Sequence, residues 1–134
     1  MEVQNLECSV DFYTQIFQVD IIPYPFPPSP EYIVKWLRVG TCIELHLSQW
    51  INDTTKVNSV APSVPGHVGF VHLGYMVNSM DAFMKRLMEV SSDYKSGKYK
   101  QPIMDRMPYG AKSIEMKDPD GNEIRVIEAM HTKK

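Results

Sequence analysis

Four side chains in this 134-residue chain have types and settings suited to chemistry: Glu44, His46, His72 and Arg125. A carboxylate and an imidazole can ligate a divalent ion or move a proton, whereas a guanidinium keeps its charge and can only hold an anion. All four fall on segments that alternate apolar and polar residues, so each is expected to project from a strand. Ile43, Leu45 and Leu47 point one way, Glu44 and His46 the other. His72 shares a face with Val68, Phe70, Gly74 and Met76, with Val71, Leu73 and Tyr75 opposite. Arg125 and Ile127 oppose Ile124 and Val126. Taken alone, a histidine facing a sheet interior is more often a satisfied structural residue than a ligand, and Glu44 and Arg125 are ordinary solvent-facing strand residues.

The elements that must hold these residues are punctuated by proline and glycine. Pro23, Pro25, Pro27, Pro28 and Pro30 exclude a helix or a central strand there and predict a loop or an edge. A soft stretch from Asn52 to Gly66 reads as a linker, and Ser91 to Lys100 as a polar, basic, mobile loop. Leu6, Val10, Tyr13 and Phe17, joined by Phe12 and Ile16, predict a helix from about Cys8 to Phe17. Met80, Phe83, Met84, Leu87 and Met88 lie on one face of a second helix, with Asn78 or Ser79 as its cap, and this stripe is read as core packing. Ile114 and Met116 alternate with Glu115 and Lys117, and Asp118-Pro119-Asp120-Gly121 then predicts the turn of a hairpin with the Ile124 strand. The order is helix, strands, linker, strand, helix, strands. Its halves echo each other: Ser9–Phe17 matches Ser79–Met88, and Cys42 to Leu45 matches Glu123 to Val126. An α+β architecture follows, two modules each with its helix on one sheet face.

Composition excludes several classes. Apolar residues make up 43% and charged residues 22%, the mix of a chain with a packed core. A net charge of −2 argues against nucleic acid or an anionic membrane as a partner. No apolar stretch reaches the roughly 18 residues of a membrane helix, and residues 1–6 lack a secretory pattern. Cys8 and Cys42 are too few for a disulfide framework, so a reducing, cytoplasmic setting is expected. The sequon at Asn52-Asp53-Thr54 is then incidental. His67 reads as structural or exposed, His131 as part of a fraying tail, and Trp36 and Trp50 as packing residues. Tyr94, Lys95, Lys98, Tyr99 and Lys100 read first as a solvated loop, with contact to an anionic substrate as the alternative.

Three stretches, in order, resemble the vicinal oxygen chelate superfamily of glyoxalase I, fosfomycin and bleomycin resistance proteins and extradiol dioxygenases. Asn5 to Tyr13 is similar to its helix entry, His72 to Val77 to the start of its second module, and Asp118 to Ile124 to its C-terminal hairpin. The resemblance implies paired βαβββ modules whose curved mixed sheets enclose a cavity, in a single domain over 1–134. Module one covers about 1–50, a linker 51–66 and module two about 67–130, with the first strand truncated. It also implies a homodimer. In metal-dependent members a His and a Glu from each module bind Zn, Ni, Co or Mn, and the ion holds adjacent substrate oxygens.

Carried over residue by residue, Glu44 falls at the first Glu position and His72 at the second His position. The first His falls ahead of Met1, and Arg125 occupies the place of the last Glu. A divalent ion about 4 Å from a guanidinium is repelled by roughly 8 kcal/mol at an effective dielectric of 20. No cofactor is therefore expected; if a metal is bound, Glu44 and His72 are its ligands, with His46 as a third. Three functions remain open. The first is a degenerate metal site that binds a small polar or anionic molecule through Arg125, His72 and His46, or pairs Glu44 with Arg125. The second is a metal-dependent lyase similar to lactoylglutathione lyase, with Glu44 catalytic. The third is a non-catalytic structural or regulatory dimer.

Overall fold

The computed structural model describes residues 1–51 and 72–130. His67, Asn52-Asp53-Thr54, the body of the expected linker, Val68 to Val71 and His131 lie outside the described residues. The chain divides into two compact units, Met1–Pro62 and Ser63–Lys134.

In the first unit, α1 (Leu6–Phe17) starts where the Asn5 side chain accepts the Cys8 N–H at 3.0 Å, satisfying one donor that the first helical turn leaves without a backbone partner. It ends at Gln18, whose φ of 53° is left-handed. Leu6, Phe12, Tyr13, Ile16 and Phe17 are buried, and the three rings contact one another. The helix packs on β2 (Tyr32–Val39) and β3 (Ile43–Trp50), whose inward residues Leu37 and Leu47 are fully buried. With β1 (Asp20–Ile22) these strands form an antiparallel sheet in the order β1-β2-β3. The proline-rich stretch is irregular, as expected. Residues 1–3 run parallel to β3: Glu2 bridges Ser48, Val3 donates to the Ser48 carbonyl at 2.8 Å, and the Ser48 N–H donates to the Met1 carbonyl at 2.9 Å. The first strand of module one is thus a one-bridge stub.

In the second unit, β4 (Leu73–Val77) runs parallel to β7 (Glu123–Glu128). β6 (Lys112–Lys117) and the short β5 (Asp105–Arg106) complete a sheet in the order β4-β7-β6-β5. α2 (Met80–Val90) is capped by Ser79, not Asn78, through its hydroxyl and the Ala82 N–H at 3.2 Å. Met80, Phe83 and Leu87 of the expected stripe are buried, while Met84 and Met88 are half-buried. At the hairpin turn, buried Asp118 accepts the Asp120 and Asn122 N–H groups at 3.0 and 2.8 Å, and Gly121 takes φ +85°, a conformation open to glycine because it has no Cβ.

The stretch expected to be an open loop instead contains α3 (Ser92–Lys95). Tyr94 is buried there, its hydroxyl accepting the Lys117 N–H at 2.7 Å and donating to the Lys117 carbonyl at 3.3 Å. A ring that buries apolar area while both hydroxyl functions find partners outweighs the polar composition around it. Among the described residues, no helix is long and apolar enough to cross a membrane.

Candidate functional site

In the first unit α1 covers one sheet face and leaves the other, with its polar side chains, open among the described residues. That open face carries Trp36 and Arg38 on β2, directly opposite His46 and Glu44 on β3. The His46 ring stacks on Trp36 with centroids 3.9 Å apart and planes 3° from parallel. Tyr24 and Phe26 meet the same indole edge-on. Glu44 is held from both sides, by His46 Nε2 at 3.1 Å and by Arg38 Nη2 at 4.0 Å. The face is therefore an aromatic platform ending in a carboxylate between two basic groups.

In the second unit, Arg125 on β7 stands opposite Glu115 on β6, and the two side chains pair. Beside them is a cavity of about 290 Å³ lined by Tyr94, Lys98, Tyr99, Lys100, Glu115, Met116, Lys117 and Glu123. Lys98 bonds the Asp93 carboxylate at 3.2 Å and the Pro119 carbonyl at 3.1 Å, and its ammonium lies 5.0 Å from the Tyr99 ring centre. Burial works against that charge, but bonding to Asp93 and the neighbouring Tyr99 outweigh it and leave the Lys98 pKa raised. Burial pushes the Tyr94 and Tyr99 phenols up as well. The cavity wall thus offers ammonium groups beside phenols that keep their protons, a set suited to anionic oxygens. His72 is half-buried immediately before β4.

Register relates the two units residue by residue. The first N–H of α1, on Leu6, donates to Gln49 Oε1 at 2.7 Å, and the first N–H of α2, on Met80, donates to Glu128 Oε2 at 2.6 Å. Glu2 pairs in parallel with Ser48 as Met76 does with Ile127. Gln49 is therefore the counterpart of Glu128, and, along strands without a register break, His46 is the counterpart of Arg125 and Glu44 of Glu123. The expected match of Cys42 to Leu45 with Glu123 to Val126 is thus displaced by two residues. Glu44-Leu45-His46-Leu47 answers Glu123-Ile124-Arg125-Val126. The sequence carried this signal, since both segments read Glu, apolar, basic, apolar, but the apolar alternation alone repeats every second residue and does not select between the two registers.

The donor set does not fit a metal ion. Glu44 is engaged by Arg38 and His46, and Arg125, which cannot act as a ligand, pairs with Glu115. Among the described residues, no group of three or more His, Cys, Asp and Glu side chains is arranged to hold a metal.

Comparison with known proteins agrees with this construction. In solved structures the chain is similar to a glyoxylase/bleomycin resistance protein/dioxygenase domain from Frankia sp. EAN1pec, at 16% identity and TM-score 0.66, over 96% of this chain and 92% of that one. It is similar to the fosfomycin resistance protein FosX of Listeria monocytogenes, at 14% identity and TM-score 0.62, over 100% and 90%. It is also similar to a lactoylglutathione lyase from Agrobacterium tumefaciens, at 17% identity and TM-score 0.56, over 96% and 89%. No curated protein matches the sequence. Identities this low speak to the fold and not to the reaction. The family model described as glyoxalase superfamily protein matches residues 7–133. Helix entry, parallel first strand and terminal hairpin all fall within or beside that match, and the chain belongs to the glyoxalase superfamily.

Proposed function

We propose that this protein binds a small anionic molecule on the outward face of β7 in the second unit, and that its ancestral metal centre has been replaced by basic side chains. The observation that carries this is Arg125, a permanent cation on the outward face of β7 and paired with Glu115, beside a cavity whose wall sets Lys98, Lys100 and Lys117 against Glu115 and Glu123. A guanidinium offers a planar fork of donors to a carboxylate or phosphate, and the raised Lys98 pKa keeps a second charge in place through neutral pH. His46 supports the same chemistry, because its register makes it the counterpart of Arg125. His72, next to β4 and β7, is assigned to the same ligand. We further propose a cytoplasmic homodimer. Beyond the bridge at Ser48, β3 has no neighbour on its outer side among the described residues, an edge that a second chain would cover.

The test is calorimetric titration of the purified chain with inorganic phosphate and methylphosphonate, with elemental analysis of the same preparation. Saturable binding is expected, weakened roughly tenfold by Arg125→Ala, the loss of one charge-assisted pair. Stoichiometric metal that survives dialysis would overturn the proposal. So would metal-dependent isomerisation of a glutathione hemithioacetal that Glu44→Gln abolishes. Light scattering that shows only monomer would remove the dimer.

A further inference from the structure

A second cavity, of about 590 Å³, lies in the first unit between α1, the proline-rich connection and β2. We infer that it is a binding site for an organic ammonium ion with an aromatic or apolar body. Its volume is within the roughly 300–1,000 Å³ of small-molecule sites. Glu7 and Asp11, one turn apart on α1, both line it, together with Val10, Ile33 and the rings of Tyr24 and Tyr32. Among the described residues, neither carboxylate has an ion-pair partner. Lys35 supplies the one positive charge in the lining, so two carboxylates against one ammonium leave the cavity with a net charge of −1.

The strand edge adds acceptors. β1 pairs only with Trp36, Leu37 and Arg38, so residues 32–35 of β2 have no strand on that side among the described residues. Backbone carbonyls that face this edge can accept N–H donors from an ammonium group. Like charges at i, i+4 on a helix repel, and a bound cation relieves that repulsion. Tyrosine faces attract a cation and also bury an apolar body. An anionic ligand meets the opposite field, so this site is distinct in chemistry from the proposed anion site.

Titration of the full chain with phenethylamine, followed by amide chemical shifts, tests the inference, with phenylethanol and phenylacetate as neutral and anionic controls. Saturable shifts centred on Val10, Tyr32 and Ile33 are expected for the amine only. The double variant Glu7→Gln/Asp11→Asn, on exposed positions, is expected to weaken the amine roughly tenfold, and Val10→Phe to block it by filling the cavity. Arg125→Ala is expected to leave amine binding unchanged, which separates this result from the anion titration. Equal binding of amine and alcohol, preference for phenylacetate, no saturable shift, or an affinity indifferent to the double variant would each overturn the inference. If Val10→Phe fails to fold, the charge variant still decides.

Discussion

The two units share one connectivity and differ in how they treat the start of the helix and the turn of the hairpin. In both, the first helical N–H is received by a side chain from the last strand, Gln49 for α1 and Glu128 for α2. Topology therefore sets the position of an acceptor and leaves its charge open. In the second unit the acceptor is an anion at the positive end of a helix dipole, where it gains more than a neutral amide does. Lys112 lies 3.9 Å from the same carboxylate. Both units place an acid in the first helical turn, Glu7 in α1 and Asp81 in α2, but the first keeps a neutral acceptor at Gln49. The hairpin turns diverge further. Asp118 is fully buried and organises its turn through backbone N–H groups and the Asn122 side chain, whereas Gly40, Thr41 and Cys42 are exposed.

The largest effect expected from this contrast is at the turns. Asp118→Ala should cost about 2–3 kcal/mol, because three part-buried donors lose a buried charged acceptor at once. Thr41→Ala, at an exposed turn, should stay within about 0.5 kcal/mol. Chemical denaturation of both variants checks this, and equal losses would show that the turns are equivalent after all. A smaller effect is expected at the helix starts. Glu128→Gln should lose about 0.5–1 kcal/mol, since the acceptor remains and only its charge goes. Gln49→Glu should gain no more than about 0.5 kcal/mol, because the new charge also meets Glu7. A loss in the second variant larger than in the first would invert the comparison.

The smallest effect concerns pH. Burial raises the Tyr94 and Tyr99 pKa in the second unit. A raised folded-state pKa means that the stabilising contribution is complete below the unfolded value and is lost as pH rises through the folded one. Stability should therefore hold through neutral pH and decline above about pH 10. Tyr94→Phe should make that decline shallower, as seen in thermal melts across alkaline buffers.

Much of this was legible before any coordinates. Apolar stripes of helical period predict two helices, and both form, the first starting at Leu6 rather than at the expected Cys8 because Asn5 caps it. The Asp118-Pro119-Asp120-Gly121 turn and its flanking alternation specify the hairpin, because short-range backbone preferences and side-chain period agree. The resemblance to the glyoxalase fold rested on these same local segments, which explains why it held. Tyr94 was misplaced in an open loop because its burial depends on Lys117, distant in sequence. The residue-by-residue match of the halves slipped for a related reason: a period of two cannot distinguish Glu44 from His46 as the counterpart of Arg125.

Composition and local pattern did not reach β2 or its pairing with β3. They determined the two long helices, the C-terminal hairpin, the faces of the strands read by alternation and the presence of a fixed cation at residue 125. Those are properties of neighbouring residues, and steric and solvation preferences act on them within a few positions. Strand pairing across tens of residues decided the rest: the parallel stub at Glu2, the acceptors Gln49 and Glu128 at the helix starts, and the partners of Glu44 and Arg125. Such contacts are chosen by pairing across the whole sheet, and only the folded chain reveals which register buries the apolar face while giving the first N–H of α1 and of α2 an acceptor.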